Sequence, residues 1–184
     1  MEVRNLGIKG LWLLTFPVHT DNRGSFREWF RAKEIEEKLG RKFETMQGNI
    51  SSSNKGVLRG IHFSLGIEGQ GKLVTCVSGS IWDVVVDLRL NSPTYKDWVG
   101  THLDSKGGEV LFISEGLGHG FQSLEDNSNV TYLLTSPYSP NVEYDLNPFD
   151  PELGISWPLV NPVLSKKDTQ ARSLQNLKDA GLLP

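Results

Sequence analysis

Four histidines, at positions 19, 62, 102 and 119, are the first residues to ask about. Histidine is the side chain whose unperturbed proton affinity lies closest to neutrality, so each could move a proton. His62 lies in Leu58-Arg59-Gly60-Ile61-His62-Phe63, and His119 in Glu115-Gly116-Leu117-Gly118-His119-Gly120-Phe121. Either could be a hydrogen-bonded histidine on the inner face of a barrel or a group that does chemistry. His19 and His102 stand among turn-like residues and read as exposed.

Lys72 opens an apolar run and shares a strand face with Val74 and Cys76. An ammonium turned into a barrel needs a partner, because burying it alone is costly. Asp83 and Asp87, on the next strand-like run, could supply one. An interior ion pair, a strand-end lysine reaching solvent and a fixed charge serving chemistry all remain open. Tyr132, inside Val130-Thr131-Tyr132-Leu133-Leu134, reads first as a core tyrosine with its hydroxyl bonded, and Tyr138, between Pro137 and Pro140, as a surface aromatic. Residues 21–28 (DNRGSFRE) mix a turn, an aromatic and both signs of charge. Arg23 there suits a bidentate phosphate contact, though a solvated turn before an edge strand explains the segment almost as well. Zinc and iron sites usually draw on short-spaced ligand pairs. No His-x-His or Cys-x-x-Cys pair exists, so a metal site is not expected.

The elements that must hold these residues read as strands. Residues 72–77 alternate, Ser78-Gly79-Ser80 is a tight turn, and residues 81–88 alternate more cleanly. The even positions of that second run are Trp82, Val84, Val86 and Leu88, and its odd positions carry Asp83 and Asp87. One face must pack, and the other must meet solvent or a polar cavity. Further strands are expected at Glu109–Ile113 and residues 130–135, joined by Ser114-Glu115-Gly116-Leu117-Gly118. Two helices are expected, at residues 31–39, stopped by Gly40, and across the tail, about 169–182. Many short strands with glycine-rich turns imply a sandwich, jelly roll or closed barrel.

The composition suits a folded domain. The 184 residues are 38% hydrophobic and 22% charged, with a net charge of −3. One domain spanning 1–184 is expected, and the charge gives no reason to expect nucleic acid or a membrane as partner. The single cysteine, Cys76, allows no internal disulfide, and the apolar stretch at residues 11–14 is too short for a signal peptide or a membrane helix. A reduced, cytoplasmic location is the expectation. The sequons Asn49-Ile50-Ser51 and Asn129-Val130-Thr131 read as chance matches.

Taken together, the motifs resemble the dTDP-4-dehydrorhamnose 3,5-epimerases. The resemblance runs through residues 21–30 (DNRGSFREWF), 47–51 (QGNIS), 56–63 (GVLRGIHF), 70–74 (QGKLV), 79–89 (GSIWDVVVDLR), 92–95 (SPTY), 115–121 (EGLGHGF), Tyr132 to Tyr138, Asp150-Pro151 with Trp157-Pro158, and 164–168 (LSKKD). Each is weak alone, and their order over nearly the whole chain makes the signal strong. The resemblance implies an all-β double-stranded β-helix, the cupin jelly roll, with a few short peripheral helices, usually as a homodimer. It implies a dTDP-linked 4-keto-6-deoxy sugar as substrate, inversion of C3 and C5, and no cofactor.

Protons alpha to a ketone are weakly acidic because the enolate left behind is stabilised, and inversion needs a base on one face and a donor on the other. By resemblance, His62 is the base, Asp168 the carboxylate that orients it, Tyr132 the acid on the opposite face, and Lys72 the charge beside the C4 oxygen. Arg59 and Arg23 match diphosphate contacts. Phe26, Glu28 and Tyr138 match positions around the thymine, and Gln47 and Asn49 line the same site. His119, counted with the substrate-binding positions, and Asp83 are expected to hold Lys72 and the sugar end in place. The arm carrying Arg23, Phe26 and Glu28 is expected to complete the partner subunit's site.

Several positions depart from the commonest pattern: Ser64 in place of Gln, Gly66-Ile67 in place of Pro-Pro, Ser114 in place of Pro, and Asn147-Pro148-Phe149 where Trp is frequent. They lean toward a branch that also holds antibiotic-sugar epimerases, some of which invert one carbon. The rival expectations are therefore a single-position epimerase and a non-catalytic sugar-nucleotide-binding cupin. The second would have no use for His62, Asp168, Tyr132 and Lys72 together.

Overall fold

The computed structural model describes residues 1–65 and 69–184, so the Gly66-Ile67 departure lies outside the described residues. In chain order the strands are β1 (Glu2–Asn5), β2 (Leu11–Thr15), β3 (Val18–Asp21), β4 (Gly24–Arg27), β5 (Gln47–Ser53), β6 (Leu58–Ser64), β7 (Lys72–Ser78), β8 (Ser80–Asp87), β9 (Trp98–Asp104), β10 (Glu109–Ile113), β11 (Leu117–Ser123), β12 (Ser128–Leu134) and β13 (Glu143–Asp145). The helices are α1 (Ala32–Leu39), α2 (Lys166–Thr169) and α3 (Leu174–Asp179).

Two antiparallel sheets form the body. One runs β1-β2-β10-β7-β12-β5, the other β13-β6-β11-β8-β9, and β3-β4 is a separate hairpin. Strand alternation decides which residues face inward. Val74, Cys76, Leu111, Ile113 and Val130 of the first sheet meet Ile81, Val85, Leu103, Leu117 and Phe121 of the second in one buried core. The outer face of the first sheet, with Leu14, Leu73, Val110 and Phe112, is covered by Ile35 of α1 and by Phe43. The outer face of the second, with Val84, Val86 and Leu88, is covered by Leu174 and Leu177 of α3. This is the jelly roll expected from the sequence, with short helices outside it.

β8 therefore has both faces covered. Its even residues pack outward under the C-terminal helix, and its odd residues, Asp83 among them, face the interior of the roll. The helix at residues 31–39 is α1, and Gly40 ends it in the left-handed conformation (φ 66°) that costs glycine little.

Three expectations need correction. The tail is not one helix. The Arg172 backbone bridges to Leu146 and its carbonyl accepts from Asn147 N at 2.8 Å, so the chain leaves helical geometry there. Ser173 then caps a new helix by accepting from Asn176 N. The segment after Ile113 is not a mere connection, because it contains the whole of β11, whose glycines read as turn residues. His19 and His102 are exposed as expected, but they stand on β3 and β9 rather than in turns.

Candidate active site

A cavity of about 440 Å³ opens between the sheets. Arg59 and His62 reach it from β6, Lys72 from β7, His119 and Phe121 from β11, Tyr132 from β12, Ser51 from β5, and Lys167 and Asp168 from α2. The imidazole, the phenol and the ammonium singled out in the sequence thus share one hollow.

Backbone packing brings the two histidines together. His62 and His119 are register partners across β6 and β11. One residue along β11 and two along β6, where the register shifts, a Cβ on Gly60 would stand 2.5 Å from Gly120 Cα and 2.8 Å from the His119 carbonyl, and one on Gly120 would stand 2.7 Å from the Arg59 carbonyl. Only glycines permit that approach, and Gly60 also has φ 117°.

His62 is half-buried, and its Nε2 is hydrogen-bonded to Asp168 Oδ1 at 2.7 Å. Asp168 is itself held. Its Oδ2 accepts from Ser165 Oγ at 2.8 Å, while its amide donates to the same Ser165 oxygen, which caps α2. Burial opposes the charge on Asp168, yet the hydrogen bonds from His62 and Ser165 outweigh it and hold the carboxyl below its ordinary range.

Lys72 is buried, with its ammonium 3.5 Å from the His62 carbonyl oxygen. Burial lowers its proton affinity, and the charges of Glu143 and Asp83 offset part of that loss. Glu143 is pushed up by its own burial, against the pull of Lys72. Asp87, offered above as a partner for Lys72, is not one. It sits at the far end of β8 and accepts hydrogen bonds from Arg89, Ser92 and Thr94. Asp83 is fully buried behind His119, hydrogen-bonded to its Nε2 at 2.8 Å, and burial raises its carboxyl above the usual range.

Arg59 donates to Ser53 Oγ and to the Ser52 carbonyl, each at 3.1 Å, which leaves part of its five-donor fork for an anion. Gln47, Asn49 and Tyr138 do not line the cavity, but they are tied to one another. Gln47 Nε2 donates to Asn49 Oδ1, and Tyr138 N donates to Gln47 Oε1 at 2.8 Å. Asn49 is in turn the register partner of Tyr132. Arg23, Phe26 and Glu28 are not brought to this chain's own cavity. Arg23 pairs with Asp21 on the exposed β3–β4 hairpin, Phe26 is 67% exposed, and Glu28 pairs with Arg31.

The sequence reading passed over Asp145, Lys167 and Ser51. Glu143 and Asp145 flank Tyr144, whose ring stacks on Phe63 at 5.9 Å on the outer face. Alternation therefore turns both acids inward, and this was the available signal. Asp145 Oδ1 lies 3.6 Å from His62 Nε2 and 2.8 Å from Lys167 Nζ. His62, Asp145 and Asp168 offer three ligating atoms within 4.8 Å of one another, a donor set that could receive a cation. Here the donors are engaged with each other and with the Lys167 ammonium, which already supplies a positive charge.

Comparison with known proteins agrees with this architecture. The family model described as dTDP-4-dehydrorhamnose 3,5-epimerase matches residues 5–176. The chain is 46% identical to a dTDP-4-dehydrorhamnose 3-epimerase of Streptomyces niveus, over 100% of this chain and 89% of that one. It is also 46% identical to a dTDP-4-dehydrorhamnose 3,5-epimerase of Mycolicibacterium smegmatis, over 100% of this chain and 91% of that one. The crystal structure of NovW, a 4-keto-6-deoxy sugar epimerase from the novobiocin gene cluster of Streptomyces spheroides, superimposes with a TM-score of 0.97 at 46% identity, covering 100% of this chain and 92% of NovW. The jelly roll is the cupin fold of these enzymes, and the chain belongs to the dTDP-4-dehydrorhamnose 3,5-epimerase family.

Proposed function

We propose that the cavity epimerises dTDP-4-dehydro-6-deoxy-D-glucose at C3 and C5, giving dTDP-4-dehydro-L-rhamnose. What supports this reading most is the convergence of His62, Asp168, Lys72 and Tyr132 on one cavity. With Nε2 of His62 bonded to an ionised Asp168, the neutral ring carries its proton on Nε2 and its lone pair on Nδ1. Nδ1 takes the proton alpha to the ketone, and Asp168 stabilises the imidazolium that forms. The Lys72 ammonium faces the C4 oxygen, where negative charge grows as the enolate forms. Tyr132 returns a proton from the opposite face of the ring.

Arg59 takes the diphosphate, and His119, backed by Asp83, holds the sugar end. Gln47, Asn49 and Tyr138 hold the nucleoside side of the entrance. Arg23, Phe26 and Glu28 serve the cavity of a second copy, and their position on an exposed hairpin away from their own cavity supports a homodimer. Among the described residues no helix is long and apolar enough to cross a membrane. The free, buried Cys76 suits a reducing compartment, and the cytoplasm is the proposed location.

A second reading, inversion at one carbon alone, is favoured by one observation. The relative named a 3-epimerase and the one named a 3,5-epimerase are equally similar, at 46% identity. Incubating the enzyme with the keto sugar in deuterated water and following it by NMR separates the two. Deuterium at C3 and C5 is the expected result, and label at one carbon establishes the second reading. Absence of label at both carbons refutes both readings.

A further inference from the structure

His62 faces two carboxylates, not one. Asp168 Oδ1 lies 2.7 Å from its Nε2, and Asp145 Oδ1 lies 3.6 Å from the same nitrogen. The two arrive by different routes. Asp168 comes from α2, whereas Asp145 is placed by the β13–β6 register, directly opposite His62. The cation on Asp145 is Lys167, 2.8 Å away and the immediate chain neighbour of Asp168. One short turn of helix thus delivers the anion that orients the imidazole and the cation that covers the second anion.

A base caught between two uncovered carboxylates would be held as imidazolium and could not accept a proton, since an opposite charge within about 4–6 Å favours the charged form. We propose that Lys167 and Asp145 act as a positioning pair for His62. Lys167 keeps Asp145 from locking the imidazole in its protonated form, and Asp145 keeps the Lys167 ammonium from driving the imidazolium out. This rests on the reading of His62 as the base.

The other groups around His62 are already accounted for. Glu143 stands one inward position along β13 and, with Asp83, acts on Lys72; its carboxylate also interacts with His62, Lys167 and Asp145, and it is unchanged in all three variants. Lys72 touches the His62 carbonyl, and His119 is engaged by Asp83. Arg59 is anchored on Ser52 and Ser53. Tyr132 lines the same cavity from β12. The Lys167–Asp145 pair is what remains at Nε2 beside Asp168.

The test uses Lys167→Met, Lys167→Arg and Asp145→Asn in the full-length protein. The acid limb of the pH–rate profile for deuterium exchange is measured, and so is the titration of the His62 ring protons by NMR in the ligand-free protein. In Lys167→Met both midpoints are expected to rise by about one pH unit, as the uncovered Asp145 favours imidazolium. In Asp145→Asn both are expected to fall, as the uncovered ammonium disfavours it. Lys167→Arg is expected to stay at the wild-type values. Lys167 is half-exposed, so its two variants decide the matter even if Asp145→Asn fails to fold. Shifts of the same sign in Lys167→Met and Asp145→Asn, or an unmoved titration in Lys167→Met, would overturn the pairing. Ring titrations that move as expected while the exchange profile stays fixed would leave the pairing intact and remove His62 as the base.

Discussion

Asp83 and His119 form a second histidine–carboxylate pair inside the roll, bonded at 2.8 Å, next in register to the 2.7 Å pair of Asp168 and His62. The two pairs sit in opposite environments. Asp168 is held by a helix-capping serine and stays ionised. Asp83 is buried at the middle of a strand, one of its oxygens has no hydrogen-bond partner, and burial favours its protonated form. Environments that push like groups apart assign their roles. The carboxylate whose charge its hydrogen bonds favour belongs behind the base, and the one whose charge burial opposes holds a ring in place.

This distinction predicts unequal responses to the same change. Asp83→Asn keeps a hydrogen-bonding group on His119 at a position where burial already opposes the carboxylate's charge, and the exchange rate should fall by less than about tenfold. Asp168→Asn removes the charge that stabilises the imidazolium and should cost about 100-fold or more. Single-turnover deuterium exchange measures both. Equal losses would show that the two pairs do the same work.

Lys72 should show function bought at the expense of stability. Its ammonium is buried, and burial lowers its proton affinity. Lys72→Met removes the positive charge from the C4 oxygen and should slow exchange by about 10²–10³. The melting temperature at pH 7 should not fall, because a buried charge has been replaced by an apolar chain of similar length. A group that binds its proton less tightly when folded destabilises the fold below its folded pKa, and the penalty fades as pH rises toward the unfolded value. Wild type should therefore gain on Lys72→Met in alkaline denaturation curves.

Asp87 makes a purely structural prediction. It is fully buried, and burial opposes its charge, but hydrogen bonds from Arg89, Ser92 and Thr94 overcome that and hold its pKa at about 2. The depressed value stabilises the fold above the unfolded pKa by an amount on the order of 2 kcal/mol. That contribution is lost as pH falls from about 4 toward 2. Asp87→Asn should be destabilised at pH 7 and approach wild type at pH 2–3 in denaturant titrations, with exchange activity retained in the folded protein.

Much of this site could be read from residue alternation. The inward face of Lys72, Val74 and Cys76 and the two faces of β8 both follow from a period of two. Other parts could not. Gly118 and Gly120 look like turn residues, yet β11 runs straight through them, and the close approach of Gly120 to Gly60 places His119 beside His62. Asp168 lies 106 residues from the histidine it orients, so resemblance alone pointed to it. Alternation about Tyr144 turns Asp145 inward, but the register that sets it opposite His62 belongs to a three-residue strand, and no local pattern specifies that register.

The exposed hairpin gives the sharpest test of assembly. His62 stands inside the roll, whereas Arg23 stands on β3–β4 with its guanidinium on Asp21. If the hairpin completes the cavity of a second copy, His62→Ala and Arg23→Ala damage sites that belong to different chains. Each variant alone should be nearly inactive. When the two are mixed under conditions that exchange subunits, half of the dimers become mixed. Each mixed dimer then pairs one doubly damaged site with one site built from an intact His62 and an intact Arg23. Activity should return to about a quarter of wild type. If the hairpin served its own chain, every cavity in the mixture would lack one group or the other, and mixing would restore nothing. The deuterium exchange rate of the mixture, compared with that of each variant alone, decides between the two.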